Sequence, residues 1–146
     1  MKRIATLAAV AAALTAAVLP AAAGAAPKQP QAQILGTVQI NGPSSALVTA
    51  RYTCPEGVHL WVSAKQSADG SRDARLTQEG SSAFSAAWLQ NHPTSFTCDG
   101  SWKTGTFQVN LSEYGFGALR KGQVWVQFCL VGETTFLSES RWVAVR

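Results

Sequence analysis

From Ile34 onward, apolar residues return at every second position in short runs, and this alternation constrains the fold more than any other feature. VHLWVSAK sets Val58, Leu60, Val62 and Ala64 against His59, Trp61, Ser63 and Lys65. ALVTARYTC sets Val48, Ala50, Tyr52 and Cys54 on one face, and ILGTVQI does the same with Ile34, Val38 and Ile40. Successive side chains of a strand point to opposite faces, so a period of two marks a strand covered on one side. TGTFQVNL carries Phe107, Val109 and Leu111 on one side. QVWVQFCLV is apolar on both faces, as suits a central strand, and FLSESRWVAV closes the pattern. Turn residues stand between the runs, notably Asn41–Ser44 (NGPS) and Pro55-Glu56-Gly57.

Six such strands without a long helical period predict an all-β fold. The expected architecture is an immunoglobulin-like β-sandwich with Greek-key connections, and a small Greek-key barrel is the alternative. The middle of the chain interrupts the pattern. Ser67–Ser82 is a polar excursion with two glycines. In AFSAAWLQNHP, Phe84, Ala87, Trp88 and Asn91 share a helical face, whereas Phe84, Ala86 and Trp88 share a strand face. The alanines point to a short helix near residues 83–91, stopped by Pro93 and laid over an open edge of the sheets.

Before the strands, residues 1–25 read as a signal peptide. Lys2 and Arg3 precede an uncharged, alanine-rich run from Ile4 to Leu19, and Ala23-Gly24-Ala25 offers a cleavage site. That run has sixteen residues, short of the roughly 20 a bilayer core requires. The formal charge of +4 includes Lys2 and Arg3, so their removal leaves +2. Residues 26–33, polar and proline-spaced, are expected to form a flexible tail, and 34–146 a single domain. The expected localisation is secreted, in an oxidising compartment that favours a disulfide, with no membrane contact after signal cleavage. The basic residues are dispersed, which argues against a nucleic-acid partner.

No reactive constellation stands out. His59 falls in a strand and His92 precedes Pro93, and neither accompanies a Gly-x-Ser-x-Gly nucleophile elbow. The three cysteines lack the short spacing of a zinc knuckle, and the glutamates stand in separate segments. No enzymatic activity, cofactor or metal is therefore expected. Asn110-Leu111-Ser112 matches a glycosylation sequon by coincidence at a strand end. The five tryptophans carry more information. With Leu60, Val62, Val124, Val126 and Phe128 inward, Trp61 and Trp125 face outward. Together with Lys65 and Gln127 they would form a surface for an extracellular glycan, peptide or protein. The competing reading covers both faces of those strands with the excursion or the Phe84–Trp88 segment. The resulting expectation is a non-enzymatic secreted protein that binds an extracellular ligand. The alternative is a protease inhibitor displaying Val131–Thr135 or Ser67–Ser82.

Cys54, Cys98 and Cys129 cannot all pair within one chain, and local pattern leaves the pairing open. The stretches TARYTCPEG (49–57), VSAKQ (62–66), FTCDGSWKTGTFQV (96–109) and the Lys121-Gly122 turn before VWVQF carry a resemblance. Over Ala46–Val145 the chain resembles small secreted actinobacterial domains of unknown function with an immunoglobulin-like fold. That resemblance implies a Cys54–Cys98 disulfide and transfers no catalytic residue. Cys129 matches no position in it. It is expected either as a buried thiol in a monomer or as the link in a covalent dimer. The rival pairing joins Cys54 to Cys129 across the two sheets.

Overall fold

In the computed structural model, which describes residues 29–112 and 114–146, seven strands follow one another: β1 (Gln31–Ile40), β2 (Ser45–Thr53), β3 (His59–Gln66), β4 (Ala87–Asn91), β5 (Lys103–Asn110), β6 (Gly122–Val131) and β7 (Phe136–Val145). The expected signal segment lies outside the described residues. The strands close into a barrel in the order β1-β2-β5-β4-β3-β6-β7. All neighbours are antiparallel except β1 and β7, which meet in parallel at Val38 and Val145. Strand β2 lies beside β5 at the end of the run β5-β4-β3, which is a Greek key. The chain is thus all-β, and its closure corresponds to the barrel alternative rather than to two separate sheets.

Two narrow seams close the ring. One is the Val38–Val145 contact, flanked by Ile40 N–H donating to the Arg146 carbonyl at 3.1 Å and Arg146 N–H to the Val38 carbonyl at 2.9 Å. The other joins β4 to β5 through the single backbone pair Gln90 and Asn110, with Asn91 Nδ2 donating to the Gln108 carbonyl at 2.9 Å. The first seam depends on a bulge. Between Leu35 and Gln39 the register against β2 shifts, with Gly36 at φ 60°. The extra residues bend β1, so its second half still pairs with β2 while reaching β7. Glycine adopts this left-handed geometry without the Cβ penalty.

Alternation delivers the core as the sequence pattern predicts. Val48, Ala50, Tyr52 and Cys54 are buried, as are Leu60, Val62 and Ala64 of β3 and Val124, Val126, Phe128 and Leu130 of β6. Tyr52, Phe107 and Phe128 pack at centroid separations of 5.5–5.8 Å in tilted pairs, the geometry that aromatic quadrupoles prefer. Two positions depart from the pattern. Ile40 and Leu111 are exposed, the latter at 45%. Both stand at strand ends, where no opposing layer remains to cover them.

Two other expectations need correction. The flexible tail does not extend to residue 33, because β1 begins at Gln31 and pairs Gln31, Ala32 and Gln33 with Thr53, Tyr52 and Arg51. Backbone pairing needs no apolar side chain on the solvent face, so polar residues here hid a strand. The short helix at 83–91 is also absent. Ser81–Phe84 forms a single 3-10 turn, and Ala87–Asn91 is strand β4 with Ala87 and Leu89 inward. Hydrogen bonding to β3 over five residue pairs outweighs the small helical preference of alanine.

Candidate functional site

The outer face of β3, β4, β6 and β7 carries side chains in rows set by strand register. Lys65 pairs with Trp88 on one side and Trp125 on the other, and Trp125 pairs with Trp142. The next row runs Gln90, Ser63, Gln127 and Ser140. The third holds Trp61, Cys129 and Ser138. A strip of amides and hydroxyls therefore lies between indoles, because each strand alternates and every neighbour is in register.

The Ser67–Ser82 excursion and the following turn fold back over one side of this face. Gln66 anchors the end of β3: its amide donates to the Arg120 and Gln123 carbonyls at 2.8 and 3.2 Å and accepts from Arg120 N–H at 2.8 Å. Gln123 N–H donates to the Gly70 carbonyl at 2.7 Å, and Leu76 is buried beneath the first 3-10 turn, Ala74–Thr77. On the other side, Trp88 exchanges backbone hydrogen bonds with Phe116 at 2.8 and 3.0 Å. Gly117, at φ 71°, lets this loop pass the Ala86 carbonyl so closely that a Cβ would collide with it.

Between these walls lies a cleft of about 560 Å³, within the usual range for small-ligand sites. Trp61, Lys65, Trp88, Gln90 and Gln127 contribute from the strands, while Thr77–Ser82, His92 and Tyr114 form its rim. Both ends of the Gln90 amide are engaged: its Oε1 accepts from Trp61 Nε1 at 3.1 Å and its Nε2 donates to Ser112 Oγ at 2.8 Å. It thereby fixes the Trp61 ring. Lys65 is only 6% exposed. Its Nζ donates to Ser81 Oγ at 2.9 Å and stands 5.7 Å from the centre of the Trp88 ring. Desolvation pushes the Lys65 amine below its ordinary value, since burial disfavours the charged form. The salt bridges among the described residues, Arg75–Asp73 and Lys103–Asp99, do not involve it. Glu79 is on the rim and exposed.

Four buried side-chain atoms make no hydrogen bond within the described protein: Ser63 Oγ, Trp88 Nε1, Trp125 Nε1 and Gln127 Oε1. All four belong to this outer face. Burial of polar atoms without partners is unfavourable, and their concentration on one surface singles it out from the rest of the barrel.

Of the four residues expected at a ligand surface, Trp61, Lys65 and Gln127 line the cleft. Trp125 lies outside it and packs against Trp142 with centroids 5.4 Å apart. Trp88, Gln90 and Tyr114 were not anticipated. Reading β4 as a strand would have turned Trp88 away from Ala87 and Leu89, onto the outer face, but its place beside Lys65 comes from the register with β3. Tyr114 comes from a loop whose docking has no local signature.

The disulfide joins Cys54 and Cys98, with Cα atoms 4.8 Å apart, and excludes the Cys54–Cys129 rival. Cys129 is a free thiol, 5% exposed, with Sγ 3.4 Å from Ser138 Oγ. Desolvation pushes its pKa up, which lowers its thiolate population and reactivity. His59 and His92 are both exposed and share a recess with Leu60, Pro93 and Phe96. No helix among the described residues is long and apolar enough to cross a membrane. No family model matches the chain, and no curated protein is similar to it.

Proposed function

We propose that this protein is a secreted, non-enzymatic binding domain that holds an extracellular ligand in the outer-face cleft. The observation that carries the reading is Lys65. A buried amine with a hydroxyl and an indole for neighbours, and no salt bridge among the described residues, costs stability in the isolated protein. A ligand that completes its surroundings recovers that cost on binding. The amide, hydroxyl and indole groups around it suit recognition by hydrogen bonding and ring stacking rather than proton transfer. An immunoglobulin-like relationship is part of the proposal. The two narrow seams divide the ring into β1-β2-β5 and β4-β3-β6-β7, an arrangement that supports an A-B-E sheet facing a C′-C-F-G sheet.

The test is retention of purified protein on an insoluble bacterial wall fraction, together with a screen of soluble glycans and peptides. Tyr114→Ala, at a residue 66% exposed, and Trp61→Ala should both weaken whatever binding is found by about tenfold. Circular dichroism spectra should match the wild type. Binding that both variants leave intact would move the site elsewhere. A second reading, protease inhibition, draws support from the β6–β7 hairpin. Val131 and Phe136 are exposed around a turn closed by Gly132 N–H donating to the Thr135 carbonyl at 2.7 Å. Slowed cleavage by secreted proteases, abolished by Phe136→Ala, would favour it.

A further inference from the structure

We infer that the cleft is built for an acidic saccharide, with the ligand carboxylate meeting Lys65 and a sugar ring lying against Trp61 and Tyr114. This rests on the proposal that the cleft is the binding site and assigns the chemistry of what enters it. Three observations converge. The first is charge. The ammonium of Lys65 has three protons, and one is used by Ser81 Oγ. A carboxylate would supply the opposite charge that the salt bridges of the described residues do not provide. For an amine this buried the pairing would be worth more than on the surface.

The second is the demand for a hydrogen-bond donor beside an acceptor. Gln127 Oε1 lacks a donor and Trp88 Nε1 lacks an acceptor, and both residues line the same cleft. Both atoms are buried in the unliganded cleft; when either side chain rotates toward a ligand, a sugar hydroxyl can donate to Gln127 Oε1 or accept from Trp88 Nε1. The indole and phenol rings of Trp61 and Tyr114 supply flat apolar surface for the C–H face of a pyranose.

The third observation separates a saccharide from an extended peptide. Peptides commonly add to an unpaired strand edge through backbone hydrogen bonds. Here the floor of the cleft is β3 flanked by β4 and β6, with Val62–Gln66 paired to β4 and His59–Lys65 to β6. The backbone of that floor is consumed in the sheet. The floor therefore recognises a ligand through side chains, which are indoles, amides and one amine, while hydroxyls, His92, Tyr114 and the exposed Glu79 carboxylate stand on the rim.

Isothermal titration with oligomers of galacturonic, glucuronic and N-acetylmuramic acid, each beside its methyl ester, tests this assignment. At least one acid should bind tenfold or more tightly than its ester. Lys65→Met should reduce that ratio to near one, and Lys65→Gln should do the same if the methionine variant fails to fold. Trp61→Ala should weaken acid and ester alike. Equal binding of every acid and its ester, or no binding by any of them, overturns the acidic-saccharide assignment. So does tighter binding of a short peptide with a free C-terminus. In each of these cases the cleft itself survives as a binding site if Trp61→Ala abolishes the interaction with another ligand from the screen. It fails with the assignment if no interaction depends on Trp61.

Discussion

Replacing both Cys54 and Cys98 by alanine removes the one covalent crosslink of the described barrel, and its cost follows from chain separation. The bridge spans 44 positions. In the chain-entropy picture, a closed loop of that length restricts the unfolded ensemble by about 4 kcal/mol at 25 °C. The native side adds local contacts. Gly100 N–H donates to the Cys54 carbonyl at 2.8 Å, and Phe96 lies 6.3 Å from the Tyr52 ring. These should persist in part without the sulfurs, so most of the loss arises from the larger freedom of the unfolded chain. Urea unfolding followed by tryptophan fluorescence measures the effect, with Cys129→Ser in both proteins to prevent disulfide exchange. For a slope of about 2 kcal/mol per molar urea, the midpoint should fall by about 2 M. A fall below about 0.5 M would refute the reasoning, because a drop of only about 1 kcal/mol means the bridge constrains the unfolded chain far less than its length requires.

Phe128 is wholly buried between Tyr52 and Phe107, so Phe128→Ala should cost about 3–5 kcal/mol in the same urea assay. Cys129 should react with iodoacetamide at least about tenfold more slowly in the native protein than in denaturant, because burial suppresses its thiolate. Mass spectrometry of the labelled protein checks this, and equal rates would place the thiol at the surface. Hydrogen bonds donated by Ser71 and Ser67 lower the Asp69 carboxyl to about 2 in the folded protein, from its ordinary value of 3.8. A depressed folded value stabilises above the unfolded pKa and is lost as pH falls through the folded one. Asp69→Asn should therefore flatten the pH dependence of the thermal midpoint between about pH 4 and pH 2.

The position of the polar excursion that carries Asp69 shows where local reading of this chain stops. Asp69 and Gly70 mark a turn in the sequence, yet nothing local predicts that Gly70 will accept a hydrogen bond from Gln123, which stands at the start of β6. Contacts of this kind join residues distant in sequence, and they build the walls of the cleft. Lys65 is similar. Its place in an alternating run shows that it faces away from the core, and a lysine facing outward is ordinarily solvated. It is buried because Ser81, 16 positions further along the chain, and the Trp88 ring of the next strand cover it.

By itself the sequence determined the strands with a clear alternation and their inward faces. Alternation is a local property of the chain, and burying one face of each run is favourable whichever neighbour it meets. That is why Val48, Ala50 and Tyr52, or Leu60, Val62 and Ala64, could be placed in the core before any topology was known. Tertiary structure alone decided three things: the closure of the ring, the strand state of Ala87–Asn91, and the meeting of Trp61, Lys65 and Gln127 with Trp88, Gln90 and Tyr114. Each depends on which strands become neighbours and in which register. A shift of one residue in that pairing would turn every outward side chain of a strand to the other face. The local pattern stays identical for many such pairings, whereas the packed barrel admits one.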